Sequence, residues 1–500
     1  MAEMKRLAKE TAIYGVSSIL GRFLNWGLGP FYTYVLATEA DFGIVSELYA
    51  YTALFMVILT YGMETGFFRY ANKSEHNPEV VYSTSLISLG FTSTLFVGLV
   101  TLCLPWLSST IGYTDHPEYI WMMAFIVAID AFSAIPFAWL RFKKRPIMFA
   151  ALRLMMIFVN IFFNVFFLWI CPKIYRSNPA LISWFFDPDY GVGYIFIANM
   201  ISSVFGLIAL APTFIHIKWK MPVKLLKDML RYSLPLMILG IAGMMNQSLD
   251  KMMMKHLYKT VEEGITQLGI YTACFKIGIV MMMFTQAFRY AYEPFVFSKT
   301  KDADSKKSYA EAMKYFIIFS ALVFLSVMYY LDILQYLISS SYRVGLKVIP
   351  VVLLCYIFQG ISFNLSFWYK LTDRTNWGAY ISYMGLFITV MGNLLFVPKF
   401  GYMASAWTSF VCFFITMVVS WWLSQKYYPI NYDLKLVGRY VVIGTAFYLI
   451  GMNLPIGNLY LRLAFRTVLL LLFVAYVLKR DMAGTNLPFI GKLKFLSRKA

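Results

Sequence analysis

Charge is what this chain lacks most. Only 14% of its 500 residues are Asp, Glu, Lys or Arg, against about a quarter in a soluble domain. Apolar side chains make up 60%, and the mean hydropathy is +0.65. No soluble fold hides that much apolar surface, so composition excludes one and predicts a chain that crosses the membrane many times. Cysteine is sparse too. Cys103, Cys171, Cys274, Cys355 and Cys412 stand singly in apolar segments with no CxxC spacing, which argues against disulfides and a thiolate metal site. His76, His116, His216 and His256 are scattered one to a connection or helix end, the distribution of interfacial residues rather than of metal ligands.

Catalytic signatures are missing as well. There is no HExxH, GxSxG or P-loop. The connections between apolar runs are short and leave no room for an extramembrane catalytic domain. The expectation is a protein that is not an enzyme and holds neither metal nor cofactor. The formal charge of +19 does not point to nucleic acid. Its cations sit in short gaps between apolar runs, where they set topology and face lipid head groups.

What is present is a succession of apolar runs of about 20 residues, roughly fourteen in all. The predicted fold is therefore all-α and polytopic. The runs are centred near Arg22, then at 43–67, 80–104, 118–140, 147–170, 190–215, 232–254, 269–297, 313–338, 348–369, 377–397, 402–423, 436–452 and 459–478. Lys and Arg concentrate in alternate connections, at Lys5/Arg6/Lys9, Arg141–Arg145, Lys218–Arg231, Lys299–Lys314 and the tail from Lys479 to Lys499. The positive-inside rule then places both termini in the cytoplasm.

The chain repeats itself. Trp139-Leu-Arg141-Phe-Lys-Lys-Arg145 and Trp368-Tyr-Lys370-Leu-Thr-Asp-Arg374 both fit W-x-[RK]-x-x-x-R, and the same register aligns Asn164 with Asn393. Phe42-Gly43-Ile44-Val45-Ser46 likewise resembles Leu268-Gly269-Ile270-Tyr271-Thr272. This predicts two six-helix lobes, 1–217 and 232–425, related by a parallel pseudo-two-fold axis along the membrane normal. Two further transmembrane helices fill 426–480, and a basic cytoplasmic tail fills 481–500. Between the lobes, 218–231 carries Lys220, Lys224, Lys227 and Arg231 on one helical face, with Met221, Leu225, Met229 and Leu230 largely opposite. It reads as an amphipathic linker on the anionic inner leaflet.

Candidate functional residues are the ionisable groups inside the spans, because charge in hydrocarbon costs several kcal/mol. Arg22 and Asp130 fall near mid-span. Asp250 and Lys276 share a depth toward the outer side, and Glu64, Arg153, Arg289 and Glu293 lie in the inner third. One reading makes these buried ion pairs, Arg22 with Asp130, Asp250 with Lys276 and Arg289 with Glu293. The other makes them the lining of a water-filled cavity with surplus cations, suited to a phosphate or diphosphate. Arg69, Arg141 and Lys255, near span ends, read as snorkelling or topogenic.

Several stretches carry a family resemblance: Leu20-Gly-Arg22-Phe23, Tyr61-Gly-Met-Glu-Thr-Gly-Phe-Phe-Arg69, Met229-Leu-Arg-Tyr-Ser-Leu-Pro-Leu236, Gly269-Ile-Tyr-Thr-Ala-Cys-Phe-Lys276 and Leu395-Phe-Val-Pro-Lys-Phe-Gly-Tyr-Met-Ala-Ser-Ala406. The chain resembles the polysaccharide transporters, the Wzx-type lipid-linked oligosaccharide flippases of the multidrug/oligosaccharidyl-lipid/polysaccharide exporter superfamily. The resemblance implies alternating-access export of an undecaprenyl-diphosphate-linked O-antigen, capsule or exopolysaccharide unit across a bacterial plasma membrane. It puts the cationic cavity on Arg22, Arg153, Lys276 and Arg289, while Glu64, Asp130, Asp250 and Glu293 read from their depth as acidic, pairing or coupling positions. Implied partners are the lipid-linked oligosaccharide, membrane lipids and other polysaccharide-assembly proteins. A multidrug or cation antiporter of the same superfamily is the alternative, and a membrane glycan polymerase or transferase a more distant one.

Overall fold

In the computed structural model, residues 20–215, 217–298, 305–372 and 374–481 are described. Lys5, Arg6, Lys9, His216, Lys299 and the tail beyond Asp481 lie outside them. The described residues form helices and turns without a strand. The first helix, α1, covers 20–35. Then come α2 (Glu39–Thr60), α3 (Met63–Ala71), α4 (Pro78–Leu102), α5 (Leu104–Ile111), α6 (Pro117–Phe142) and α7 (Pro146–Val165). A single π turn carries α7 into α8 (Cys171–Ser177), and α9 (Gly193–Leu210) follows. The second half holds α10 (Val223–Met253), α11 (Val261–Ser298), α12 (Ser305–Tyr329), α13 (Leu331–Leu334), α14 (Ile349–Leu365), α15 (Phe367–Leu371), α16 (Asn376–Phe400) and α17 (Tyr402–Tyr427). Last are α18 (Leu434–Asn453) and α19 (Leu459–Arg480).

Among the described residues, twelve helical segments are long and apolar enough to span a membrane. They match twelve of the fourteen expected runs. The other two are α1, described over 20–35 only, and α10, whose first turns carry Lys224, Lys227 and Arg231. The chain is a multi-pass membrane protein. With the starts of α2 and α11 set uppermost, the lower face carries the basic connections at 143–145 and 218–220.

The local stops follow residue chemistry. Pro occupies the first turn of α4, α6, α7 and α14, where its missing N–H removes a donor that would be unpaired anyway. Thr38 and Asp41 close a reciprocal capping box at the head of α2. Between α2 and α3 the helix breaks at Tyr61 (φ 31°) and Gly62 (φ 71°). Gly62 takes this conformation freely, whereas Tyr61 is held in it with its hydroxyl 2.6 Å from Ser88 Oγ.

The repeated motifs adopt the same local structure. In the first, the Lys143 N–H donates to Trp139 O and the Arg145 N–H to Leu140 O. In the second, Thr372 donates to Trp368 O and Arg374 to Tyr369 O. Trp139 stacks on Tyr82, and Trp368 on Tyr427. Asn164 and Asn393 are both fully buried, and each donates Nδ2 to the carbonyl four residues back.

The third correspondence is a contact. A Cβ on Gly43 would stand 2.1 Å from Ile265 O, and one on Gly269 would stand 1.9 Å from Glu39 O. Each glycine thus admits the carbonyl four residues before the other, and α2 and α11 touch backbone to backbone. One turn on, Ser46 Oγ and Thr272 Oγ1 are 2.8 Å apart. Around this crossing, residues of α2, α6, α11 and α14 share one apolar core. Tyr342, Ser339 and Tyr336 from the second half join Thr38, Thr33 and Tyr34 by hydrogen bonds. The two halves of the chain are therefore tightly joined at the upper face.

The segment expected to lie on the membrane is seated on protein. Leu225 and Met229 are buried with Tyr61, Phe67 and Trp139, and the Lys220 N–H donates to Ser83 Oγ. Leu225 and Met229 are thus taken up by helix packing while Met221 stays exposed, and α10 continues without a break to Met253.

Candidate functional site

Beneath the α2–α11 crossing lies a cavity of about 490 Å³, lined by α1, α2, α7, α9, α10, α11, α14 and α17. Its polar lining includes six carboxamides, Asn25, Asn160, Asn199, Asn246, Gln247 and Gln359, and hydroxyls from Ser46, Ser248, Thr272 and Ser409. Tyr32, Tyr49, Phe275, Tyr356 and Phe413 give it aromatic faces. Carboxamides both donate and accept hydrogen bonds, and aromatic rings offer apolar faces, so the lining can take a polyhydroxylated ligand.

The local register explains why these side chains meet. On α1, Asn25 and Gly29 lie one turn apart, and the bare backbone at Gly29 receives the aliphatic stem of Lys276, whose Cε would be 2.8 Å from a Cβ there. The Trp26 indole N–H donates to Lys276 O at 2.7 Å, pinning α1 to α11. On α10, Asn246 donates to Ser382 O, while its Oδ1 is buried without a partner among the described residues. Tyr32 donates to Asn164 Oδ1, and Asn199 to the Tyr49 hydroxyl.

Three charged groups among the described residues face this cavity: Asp250, Lys251 and Lys276. Lys251 Nζ lies 2.9 Å from Asp250 Oδ1 and also donates to Gln247 O. Tyr271 donates to Asp250 Oδ2 at 3.0 Å. Asp250 is thus neutralised by its sequence neighbour, not by Lys276. Among the described residues Lys276 has no ion-pair partner, and its charged neighbour is Lys251. Counted as formal charges, the three leave one positive charge in surplus.

The other expected residues lie elsewhere. Arg22, one turn below Asn25 on α1, is exposed and makes no hydrogen bond or ion pair among the described residues. Asp130 is not its partner. The neighbours of Asp130 are the Ser203 hydroxyl and the Arg153 guanidinium, which also lies 4.0 Å over the Phe137 ring. Glu64 pairs with Arg141, so Arg141 has a carboxylate partner rather than a purely interfacial role. Arg69 stacks 4.1 Å over Tyr232, and Arg289 lies 4.4 Å over Phe363 near the lower end of α11. The Glu293 side chain is outside the described residues.

Lys255 departs furthest from expectation. It does not snorkel. It is fully buried and paired with the equally buried Glu47 at 2.8 Å. Neither Glu47, Lys251, Asn199 nor Gln359 was singled out in the sequence. The available signal was a polar residue inside an apolar run, and Glu47 and Gln359 both carry it.

Residues 7–291, more than half the chain, match the family described as polysaccharide biosynthesis protein. No curated protein sequence matches the chain. Among solved structures, the lipid II flippase MurJ in an inward closed conformation superposes with a TM-score of 0.72 at 12% identity, covering 94% of this chain and 99% of that one. An inward-facing multidrug resistance MATE family transporter of the MOP superfamily gives 0.63 at 14% identity, covering 81% and 94%. The Vibrio cholerae MATE transporter VcmN in its bent form gives 0.56 at 12%, covering 88% and 99%. The fold is thus that of flippases and transporters, and the chain belongs to the polysaccharide biosynthesis protein family.

Proposed function

We propose that this protein is a flippase that carries a polyprenyl-diphosphate-linked oligosaccharide, such as an O-antigen, capsule or exopolysaccharide unit, across a bacterial plasma membrane with both termini in the cytoplasm. The carrying observation is the cavity itself: carboxamides, hydroxyls and aromatic faces for sugars, with the surplus charge of Lys276 for an anionic group. A second feature supports a lipid-linked cargo. An apolar groove of about 670 Å³ runs between α12, α14, α17 and α18, bordered by Phe324, Phe358, Trp421 and Tyr448. A polyprenyl chain needs such a surface, and a free sugar does not.

In this reading the two six-helix halves rock against each other, exposing the cavity to one face and then the other. Arg22, Arg153 and Arg289 supply cations on the lower side, where a diphosphate enters or leaves. Glu64, Asp130, Asp250 and Glu293 balance those cations or couple transport to an ion. A cation exporter is less well served, because Asp250, the carboxylate facing the cavity, is neutralised by Lys251.

Deleting the gene tests this directly. A lipid-linked glycan accumulates in the cells, the wild-type gene clears it, and Lys276→Ala at equal membrane abundance clears at least ten-fold less. If deletion leaves every lipid-linked glycan at its normal level, the proposal is wrong.

A further inference from the structure

We propose that the buried Glu47–Lys255 ion pair is a latch that holds the cavity shut at the upper face. The proposal rests on the alternating-access reading above, and it names the contact that must break when the cavity opens upward.

Glu47 belongs to α2 in the first half of the chain, and Lys255 follows α10 in the second. Both side chains are wholly buried, with Lys255 Nζ 2.8 Å from Glu47 Oε1. Hydrogen bonds hold both partners in place. Tyr113 donates to Glu47 Oε2 at 2.7 Å, and Lys255 also donates to Ile111 O. The Tyr113 ring lies 4.5 Å beneath the ammonium. Every one of these partners of Lys255 comes from the first half of the chain.

The pair sits at the end of the cavity. Ser46 beside Glu47 and Lys251 one turn before Lys255 both line it, and the Gly43–Gly269 crossing flanks the pair. The backbone of Lys255 is itself held by Gly264 at the head of α11, where a Cβ would be 2.6 Å from Lys255 Cα.

Charge suits a contact that must release. Burying an ion pair sacrifices hydration that the attraction barely repays, so such a pair adds little net hold compared with apolar side chains of the same size. It does enforce one register, because either partner left alone in the interface is strongly unfavourable. When the halves part, both groups regain water, which lowers the cost of opening. An apolar plug at this position would gain nothing on exposure.

The test uses the full-length protein with its five cysteines replaced, reconstituted in vesicles, with Gln247→Cys as the cavity reporter. A membrane-impermeant maleimide is added from each side separately, and Asp189→Cys in the upper loop identifies the upper side. Glu47→Gln and Lys255→Met are each expected to raise upper-side labelling at least ten-fold. The double variant Glu47→Gln/Lys255→Met, which removes the latch without stranding a charge, is expected to stay above the parent and to label no faster than the faster single variant, because both changes break one contact. Unchanged labelling in both single variants overturns the proposal, as does a double variant that labels like the parent or one whose increase is the product of the two single increases. If the single variants fail to fold, Tyr113→Phe decides, since it weakens the latch without stranding a charge. An upper-side rate raised about three-fold supports the latch, and an unchanged rate overturns it.

Discussion

Gly43 and Gly269 each face the carbonyl four residues before the other, Glu39 O at Gly269 and Ile265 O at Gly43, so that two membrane helices meet on their backbones. The contact is reciprocal, and the Ser46–Thr272 hydrogen bond repeats that symmetry one turn further along. A parallel repeat placed about a two-fold axis produces such a contact when equivalent helices cross on the axis.

Alanine at either glycine should therefore force α2 and α11 apart. Each added Cβ would fall on backbone oxygen, which cannot rotate away, and the expected cost is about 1–3 kcal/mol. Gly438→Ala, on α18 where a Cβ meets nothing within 4 Å, should be neutral or stabilising by about 0.5 kcal/mol. Thermal unfolding in detergent compares the three variants.

Asp332 fastens the last two helices to the second half of the bundle. It accepts from Arg466 at 2.7 Å and from Arg462 at 2.9 Å, and Arg466 also donates to Gly451 O and Tyr329 O. Arg466 is nearly inaccessible, whereas Arg462 is partly solvated. Asp332→Ala should cost about 3 kcal/mol by stranding a buried guanidinium. Arg462→Ala should cost less than about 1 kcal/mol. Unfolding midpoints and protease cleavage near α18 read the difference.

Asp481, just beyond α19, should make part of the stability acid-labile. Burial pushes its carboxyl up, but hydrogen bonds from Tyr440 and Lys314, with the charges of Lys314 and Arg439, outweigh that and leave it below its ordinary value. The Lys314 contact is 3.0 Å and the Tyr440 contact 2.5 Å. A depressed folded-state value means that the stabilisation is complete above the unfolded value of about 3.9 and disappears as pH falls through the folded one. Asp481→Asn should therefore melt below wild type at pH 7, and the gap should close below pH of about 4 as the native carboxyl protonates. A gap independent of pH would contradict this assignment.

Topology has its own test. Single cysteines at Arg145 and Lys306 should react with an impermeant reagent only from the cytoplasmic side, and those at Asp189 and Glu262 only from the other. Reaction of the first pair from outside would invert the proposed orientation.

The sequence by itself determined the class of fold, because hydrocarbon leaves a long apolar run no structure but one that satisfies its own backbone. It also showed paired motifs, and Trp139/Trp368, Asn164/Asn393 and Gly43/Gly269 have matching local surroundings in the structure. Depth along a helix was legible too, and it put Asp250 and Lys276 in one layer, where both line the cavity. Tertiary structure alone decided the partners. Residues at one depth can lie on any side of a bundle, and only the crossing angles of helices choose which of them face each other. Asp250 therefore pairs with Lys251 rather than Lys276, Asp130 neighbours Arg153 rather than Arg22, and Lys255 is sealed against Glu47 rather than reaching for water.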